Sequence, residues 1–166
     1  VDSTPSMVVI FPAAPRLVDT LVPVQSVLPT EVVDVDCTVQ DTYGNDVPTA
    51  NPTVVVTPPF GWTLQEASVV IAAGHRVSAT RAGYYQLRCE VPGNKEASDR
   101  TPPFVEIRPG PAFEWRLAMP LLECIEKGSK IELDSEVVDR WNNDVRGAVL
   151  EMTTDLDERI ANAVDG

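Results

Sequence analysis

The sequence predicts an all-β chain folded as an antiparallel β-sandwich, and three observations carry that prediction. Apolar and polar residues alternate with period two along Glu31–Asp41 and again along Tyr84–Val91, the pattern of strands with one buried and one wet face. Fifteen prolines and nine glycines are scattered without a period, which cuts the chain into short segments rather than long helices. The third observation is a phrase that occurs twice. Glu31–Ala50 and Ser129–Ala148 superpose at an offset of 98 with seven identities, Asp36/Asp134, Val39/Val137, Asp41/Asp139, Asn45/Asn143, Asp46/Asp144, Val47/Val145 and Ala50/Ala148. Self-similarity at a fixed spacing reports architecture before chemistry.

The elements follow in order. Val8-Val-Ile10 lines up with Val105-Glu-Ile107, so residues 1–12 read as the end of a preceding repeat or a junction strand. Residues 13–109 read as one complete unit. Leu17–Val24 is a weak strand. Glu31–Asp41 is a strong one, with Val33, Val35, Cys37 and Val39 on one face and Asp34, Asp36, Thr38 and Gln40 on the other. Thr42–Pro48 is a turn. Pro52–Pro58 is β-branched and bracketed by prolines, as suits a short or edge strand. Ser68–Ala73 and Arg76–Thr80 flank Gly74-His75. Tyr84–Val91 turns Tyr85, Leu87, Cys89 and Val91 inward, and Thr101–Arg108 closes the unit. About seven strands in this span, separated by turn signals, define an immunoglobulin-like sandwich; a small barrel is the alternative.

Arg108-Pro-Gly-Pro-Ala112 is a junction, stiffened by prolines that fix φ and remove donors. Residues 110–166 read as an incomplete second repeat. Its strands are Phe113–Met119, Ile131–Asp139 and Ala148–Thr154, and Asp155–Gly166 has the composition of a short helix. Nothing in it matches Tyr84–Val91 or Thr101–Arg108.

Charge excludes several partners. The formal net charge is −12 and no Lys/Arg cluster is present, so neither nucleic acid nor an anionic membrane surface fits. No apolar run reaches transmembrane length, so direct membrane insertion is not expected, and no basic n-region marks a signal peptide.

Of the three cysteines, Cys37 and Cys89 sit in phase with the inward residues of their strands, which in an immunoglobulin-like sandwich are the second and sixth, in opposite sheets. A bridge across the core is the leading reading, and two buried thiols that pack as small hydrophobes are the alternative. A bridge implies an oxidising compartment. The second unit carries Ser135 at the position of Cys37, and Cys124 has no evident partner.

Catalytic chemistry is hard to place. The single histidine, His75, lies in a turn, and no G-x-S-x-G elbow, zinc-ligand spacing or phosphate-binding glycine loop occurs. No catalytic residue is therefore assigned and no enzyme activity is expected. Asp41, Asn45 and Asp46, with Asp139, Asn143 and Asp144, gather oxygens at loop ends that calcium could use. The same residue types are what a tight turn requires, and the turn is the leading reading, with no cofactor. Tyr43 and Trp141 share one turn position and are expected to cap the core. Phe60 and Trp62, in Pro58-Pro-Phe-Gly-Trp62, are candidate contacts for a ligand or partner, or else close an open sheet edge.

These residues resemble a known family. Val39-Gln-Asp-Thr-Tyr-Gly-Asn-Asp-Val47, followed by Ala79-Thr-Arg-Ala-Gly-Tyr-Tyr85 and by a last strand running into Arg108-Pro-Gly-Pro-Ala112, is similar to the bacterial immunoglobulin-like tandem repeats of invasin and intimin type (Big domains). Filamin repeats share a similar turn and Ala-Gly-x-Tyr approach. The resemblance implies an extracellular or cell-surface module acting as spacer, stalk or adhesive unit. Its partners would be a surface protein, a glycan or neighbouring repeats, and no catalytic residue carries over. A carbohydrate-binding accessory domain of a secreted enzyme and a filamin-like intracellular scaffold are the alternatives.

Overall fold

The structure, a computed structural model, describes residues 9–118 and 134–148. The expected strand at 148–154, the helix at 155–166 and Cys124 therefore lie outside the described residues, wholly or nearly so. Within residues 13–109 the chain forms ten strands: β1 (Leu17–Leu21), β2 (Ser26–Val27), β3 (Val33–Asp34), β4 (Asp36–Gln40), β5 (Thr53–Thr57), β6 (Val70–Ala72), β7 (Arg76–Ser78), β8 (Gly83–Val91), β9 (Asn94–Ser98) and β10 (Phe104–Ile107). They make two layers. One runs β2-β10-β8-β5, with β9 also paired to β8; the other combines β1-β4 with β3-β7-β6. β3 and β4 are one run of chain interrupted at Val35, whose N–H donates to the carbonyl of His75. The fold is an immunoglobulin-like β-sandwich.

The alternation read from the sequence is the alternation that packs. Val33, Val35 and Val39 are buried, Cys37 is half-buried, and Asp34, Asp36 and Thr38 face solvent; on β8, Tyr85, Leu87 and Cys89 are buried. The core cluster lies wholly between Val18 and Ile107, so the first sandwich carries its own hydrophobic interior. Each fully buried aliphatic side chain contributes about 1.5–3 kcal/mol relative to exposure. β5 pairs only with β8 and so stands at the edge of its sheet, where the flanking Pro52 and Pro58 cost no ladder hydrogen bond.

Three strand features differ from the expectation. β2 is only two residues long and pairs in parallel with β10. β9 (NKEAS) is mostly polar but buries Ala97, and pairs with the far half of β8. The second strand is split at Val35. Short or polar segments that gain order from a neighbour's backbone leave little periodic signal.

A disulfide joins Cys37 on β4 to Cys89 on β8, with Cα atoms 5.8 Å apart. It links the two layers and closes a separation of 52 residues, which stabilises by about 4 kcal/mol on the chain-entropy account. The buried Tyr85 donates its hydroxyl to the carbonyl of Arg81 at 2.8 Å, tying down the chain ahead of β8. Burial pushes this hydroxyl up to about 12, against a smaller downward pull from Arg81.

After the junction, β11 (Ala112–Ala118) pairs antiparallel with β12 (Asp134–Asp139). Its register copies the first unit. Thr20↔Cys37 becomes Leu117↔Ser135, Val18↔Val39 becomes Trp115↔Val137, and Leu17↔Gln40 becomes Glu114↔Val138.

Candidate functional site

The repeated turn is built the same way twice. Asp41 is buried, and its carboxylate accepts the backbone N–H groups of Tyr43 (2.8 Å), Asn45 (2.9 Å) and Ala13 (2.9 Å) together with the Asn45 side-chain amide (3.0 Å). Asp139 repeats this with Trp141 (2.8 Å), Asn143 (2.8 Å), Gly110 (2.7 Å) and the Asn143 amide (2.8 Å). Gly44 at φ 81° and Asn142 at φ 64° occupy the same left-handed position, which glycine and asparagine tolerate best. In each copy the aspartate thus fastens its turn to the segment that enters the unit.

Buried carboxylates are tolerable only when hydrogen-bonded. The Asn45 side chain, then the N–H of Ala13 and the turn amides, hold Asp41 far below the usual carboxylate range against a smaller upward push from burial. At Asp139 burial pushes upward most strongly, but the Asn143 side chain and the N–H groups of Asn143, Gly110 and Trp141 together outweigh it and the net shift is downward.

The second turn does more than the first, because it docks on the preceding sandwich. Asn143 is 5% exposed. Its side-chain oxygen accepts the N–H of Ala82 at 2.8 Å, and its amide donates to the carbonyl of Thr80 at 2.8 Å as well as to Asp139. Arg81 completes the joint, donating to the carbonyls of Trp141 at 3.0 Å and Asn142 at 2.8 Å. Its guanidinium lies over the Trp62 ring, 4.7 Å from the centroid, a cation–π contact of about 0.5–1 kcal/mol at an exposed site. Gly110 lies under the Trp141 ring, where a Cβ would come to 2.9 Å of the indole. Gly83, at φ 143°, leaves the space that Pro59 fills; a Cβ there would meet the proline ring at 2.6 Å. An open cleft of about 700 Å³ follows this joint between Trp62 and Arg146.

The sequence-predicted residues fall into three groups. Asp41 and Asn45 meet in one turn, and Asp139 and Asn143 in the other. Asp46 bonds only the Gln40 amide (3.3 Å), and Asp144 pairs with Arg146 at 3.3 Å; neither turns toward its aspartate hub among the described contacts. Among the described residues no group of three or more His, Cys, Asp or Glu side chains is arranged to hold a metal ion. Trp62 takes part in the joint through Arg81, whereas Phe60 is fully exposed. Tyr43, expected to cap the core, is 83% exposed: among the described residues nothing covers it, whereas its counterpart Trp141 lies on Gly110. His75 occupies its turn at φ 56°, with Nε2 3.0 Å from the Pro52 carbonyl. Arg81 shows in the sequence only as part of the Thr-Arg-Ala-Gly motif, because its acceptors lie about sixty residues away.

No family model and no curated protein matches the chain. Solved structures do. The adhesin FdeC of Escherichia coli superposes with a TM-score of 0.50 at 14% identity, covering 78% of this chain and 43% of its own. InvD of Yersinia pseudotuberculosis superposes with a TM-score of 0.50 at 16% identity, covering 82% and 45%. The likeness is one of fold. The chain spans less than half the length of either structure.

Proposed function

We propose that the chain is a non-catalytic module of a bacterial surface or secreted multi-repeat protein, serving as a spacer, stalk or assembly unit that carries adhesive surfaces. The observation that carries this reading is the joint itself. The linker between β10 and β11 holds Pro109 and Pro111; the Asn143 and Arg81 contacts tie the next strand pair to the first sandwich, and Asp139 holds the linker at Gly110. Charge-assisted bonds from Arg81 and the buried amide bonds of Asn143 together contribute a few kcal/mol to holding the angle. A mechanical element needs such a joint. The Cys37–Cys89 bridge supports an oxidising compartment and hence an extracellular or cell-surface location, and weighs against the filamin-like scaffold.

A second reading has one observation in its favour. Tyr84 and Phe104 are exposed on the outer face of adjacent strands β8 and β10, close enough along the diagonal to act together, so a carbohydrate-binding accessory role is the alternative. The deciding experiment is antibody labelling of intact source cells, with protease shaving as its partner. Surface labelling removed by protease is the expected result. Signal only after lysis would overturn the proposal, and binding on a glycan array that is lost in Tyr84→Ala would favour the alternative.

A further inference from the structure

Resting on the multi-repeat reading, we propose that the turn Asp41–Val47 is itself a docking face, and that its occupant is the Thr-Arg-Ala end of a preceding immunoglobulin-like unit joined through residues 9–12. Three observations converge on that occupant.

The first is the match with a joint the molecule already contains. Asn143 reaches the loop Thr80–Ala82 from a turn whose bonds to the Asp139 hub are reproduced by Asp41 and Asn45, down to the donor from the entering segment, Ala13 in place of Gly110. Asn45 is nevertheless exposed, and among the described residues its side-chain oxygen accepts nothing, where that of Asn143 accepts the Ala82 N–H.

The second is the entering segment. Ile10 holds the place that Ile107 holds ahead of the internal joint. Ile107 is 5% exposed in the core of a sandwich, and Ile10 is 85% exposed. An isoleucine in that register belongs to the last strand of a unit, and exposing it forfeits the burial that Ile107 has in the same place.

The third is the shape of the surface. At the internal joint Arg108, Pro109, Val145 and Arg146 line one side of the cleft, and Trp62 and Arg81 the other. At the other end of the sandwich the matching residues Phe11, Pro12, Val47 and Pro48 line a cleft of about 920 Å³ beside the turn, whose further walls, Thr49–Asn51 with Val91 and Pro92, come from the same unit. Its lining includes no counterpart of Trp62 or Arg81. The partner is therefore a sandwich end that offers one N–H to the Asn45 oxygen, a carbonyl to its amide, and a guanidinium to the carbonyls of Tyr43 and Gly44.

The test is a two-sandwich polypeptide, residues 1–109 joined to residues 13–166. It retains the chain's own units and adds one sandwich in the register of the internal joint. Hydrogen exchange at the Ala82 amide reads the docking in each copy. Protection of the first copy's Ala82 within about tenfold of the second copy's is the expected result. Asn45→Ala in the second copy should then remove that protection, and should lower melting by more than the same substitution does in the single chain. An unprotected first-copy Ala82, or an Asn45→Ala effect equal in both contexts, would overturn the proposal. Arg81→Ala in the first copy is the second variant, because it leaves the receiving turn intact; it must loosen the joint and leave the single-sandwich core melting as before. Surface labelling of cells reads the surface location in the proposed function independently, so either can fail alone.

Discussion

Two turns with the same skeleton lead different lives in this molecule. Around Asp41 the amide donors are satisfied within one unit and the outer face of the turn looks at water. Around Asp139 the same skeleton is pressed against Thr80–Ala82, its asparagine is buried, and its aromatic lies over the linker glycine. The difference lies in what stands next to the turn, since the internal hydrogen bonds agree within a few tenths of an ångström. The turn is thus a structural device first, able to stand alone, and a docking surface second, whenever a neighbour supplies the complementary loop.

The largest effect expected from breaking this comparison comes from the staple that only the first unit carries. Reducing Cys37–Cys89, or replacing both with alanine, should cost about 2–4 kcal/mol in denaturant unfolding. The docked turn should open together with the sandwich it leans on. Next comes the hub. Asp139→Ala orphans the N–H groups of Gly110, Trp141 and Asn143, and should destabilise the second turn by on the order of 3 kcal/mol, read as lost exchange protection at those amides. Asp41→Ala should lower the melting temperature of the first sandwich without disturbing the joint.

A smaller, more selective effect is expected from Arg81→Ala. Losing two bonds to carbonyls and the stacking on Trp62 should weaken the joint by about 2 kcal/mol and raise exchange around residues 141–145, while β4 and β8 stay protected. Acid should act on both turns alike. Asp41 and Asp139 have folded-state values below their unfolded ones, so their stabilisation is fully present above about pH 4 and is lost as pH falls through the depressed values. Tyr85 acts at the other extreme: its contribution is complete below about pH 10 and disappears as pH rises through about 12. A pH–stability curve that is flat from 9 down to 2 would contradict the hub account. The smallest effect is that of calcium. The carboxylate oxygens of both hubs already accept amide protons, so millimolar calcium or chelator should leave the melting temperature unmoved; a rise of several degrees with calcium would reverse that reading.

Much of this was legible in the sequence, for identifiable reasons. Period-two alternation around Val33–Val39 and Tyr85–Cys89 fixes which side chains face inward, and two inward cysteines on facing strands bring a bridge within reach. The repeated phrase marks the turn because its glycine and asparagine meet a backbone requirement. The burial of Asp41 was harder to see, although it continues the odd-numbered phase of Val33, Val35, Cys37 and Val39. An acid in that phase is informative only once the donors that will satisfy it are known, and one of them, Ala13, lies 28 residues upstream. Arg81 and Asn143 are legible as motif residues but not as partners, because nothing local ties a loop before β8 to a turn after β12. β2 and β9 escaped because their order comes from the edges they pair with.

The central claim is that the asparagine of the turn, rather than the proline linker alone, locks one unit to the next. The most direct measurement is amide hydrogen exchange at Ala82 in the natural chain and in Asn143→Ala. The account predicts an Ala82 amide that is protected in the natural chain and exchanges at least tenfold faster in the variant, with protection across β4 and β8 unchanged. Equal Ala82 exchange in the two proteins would contradict it.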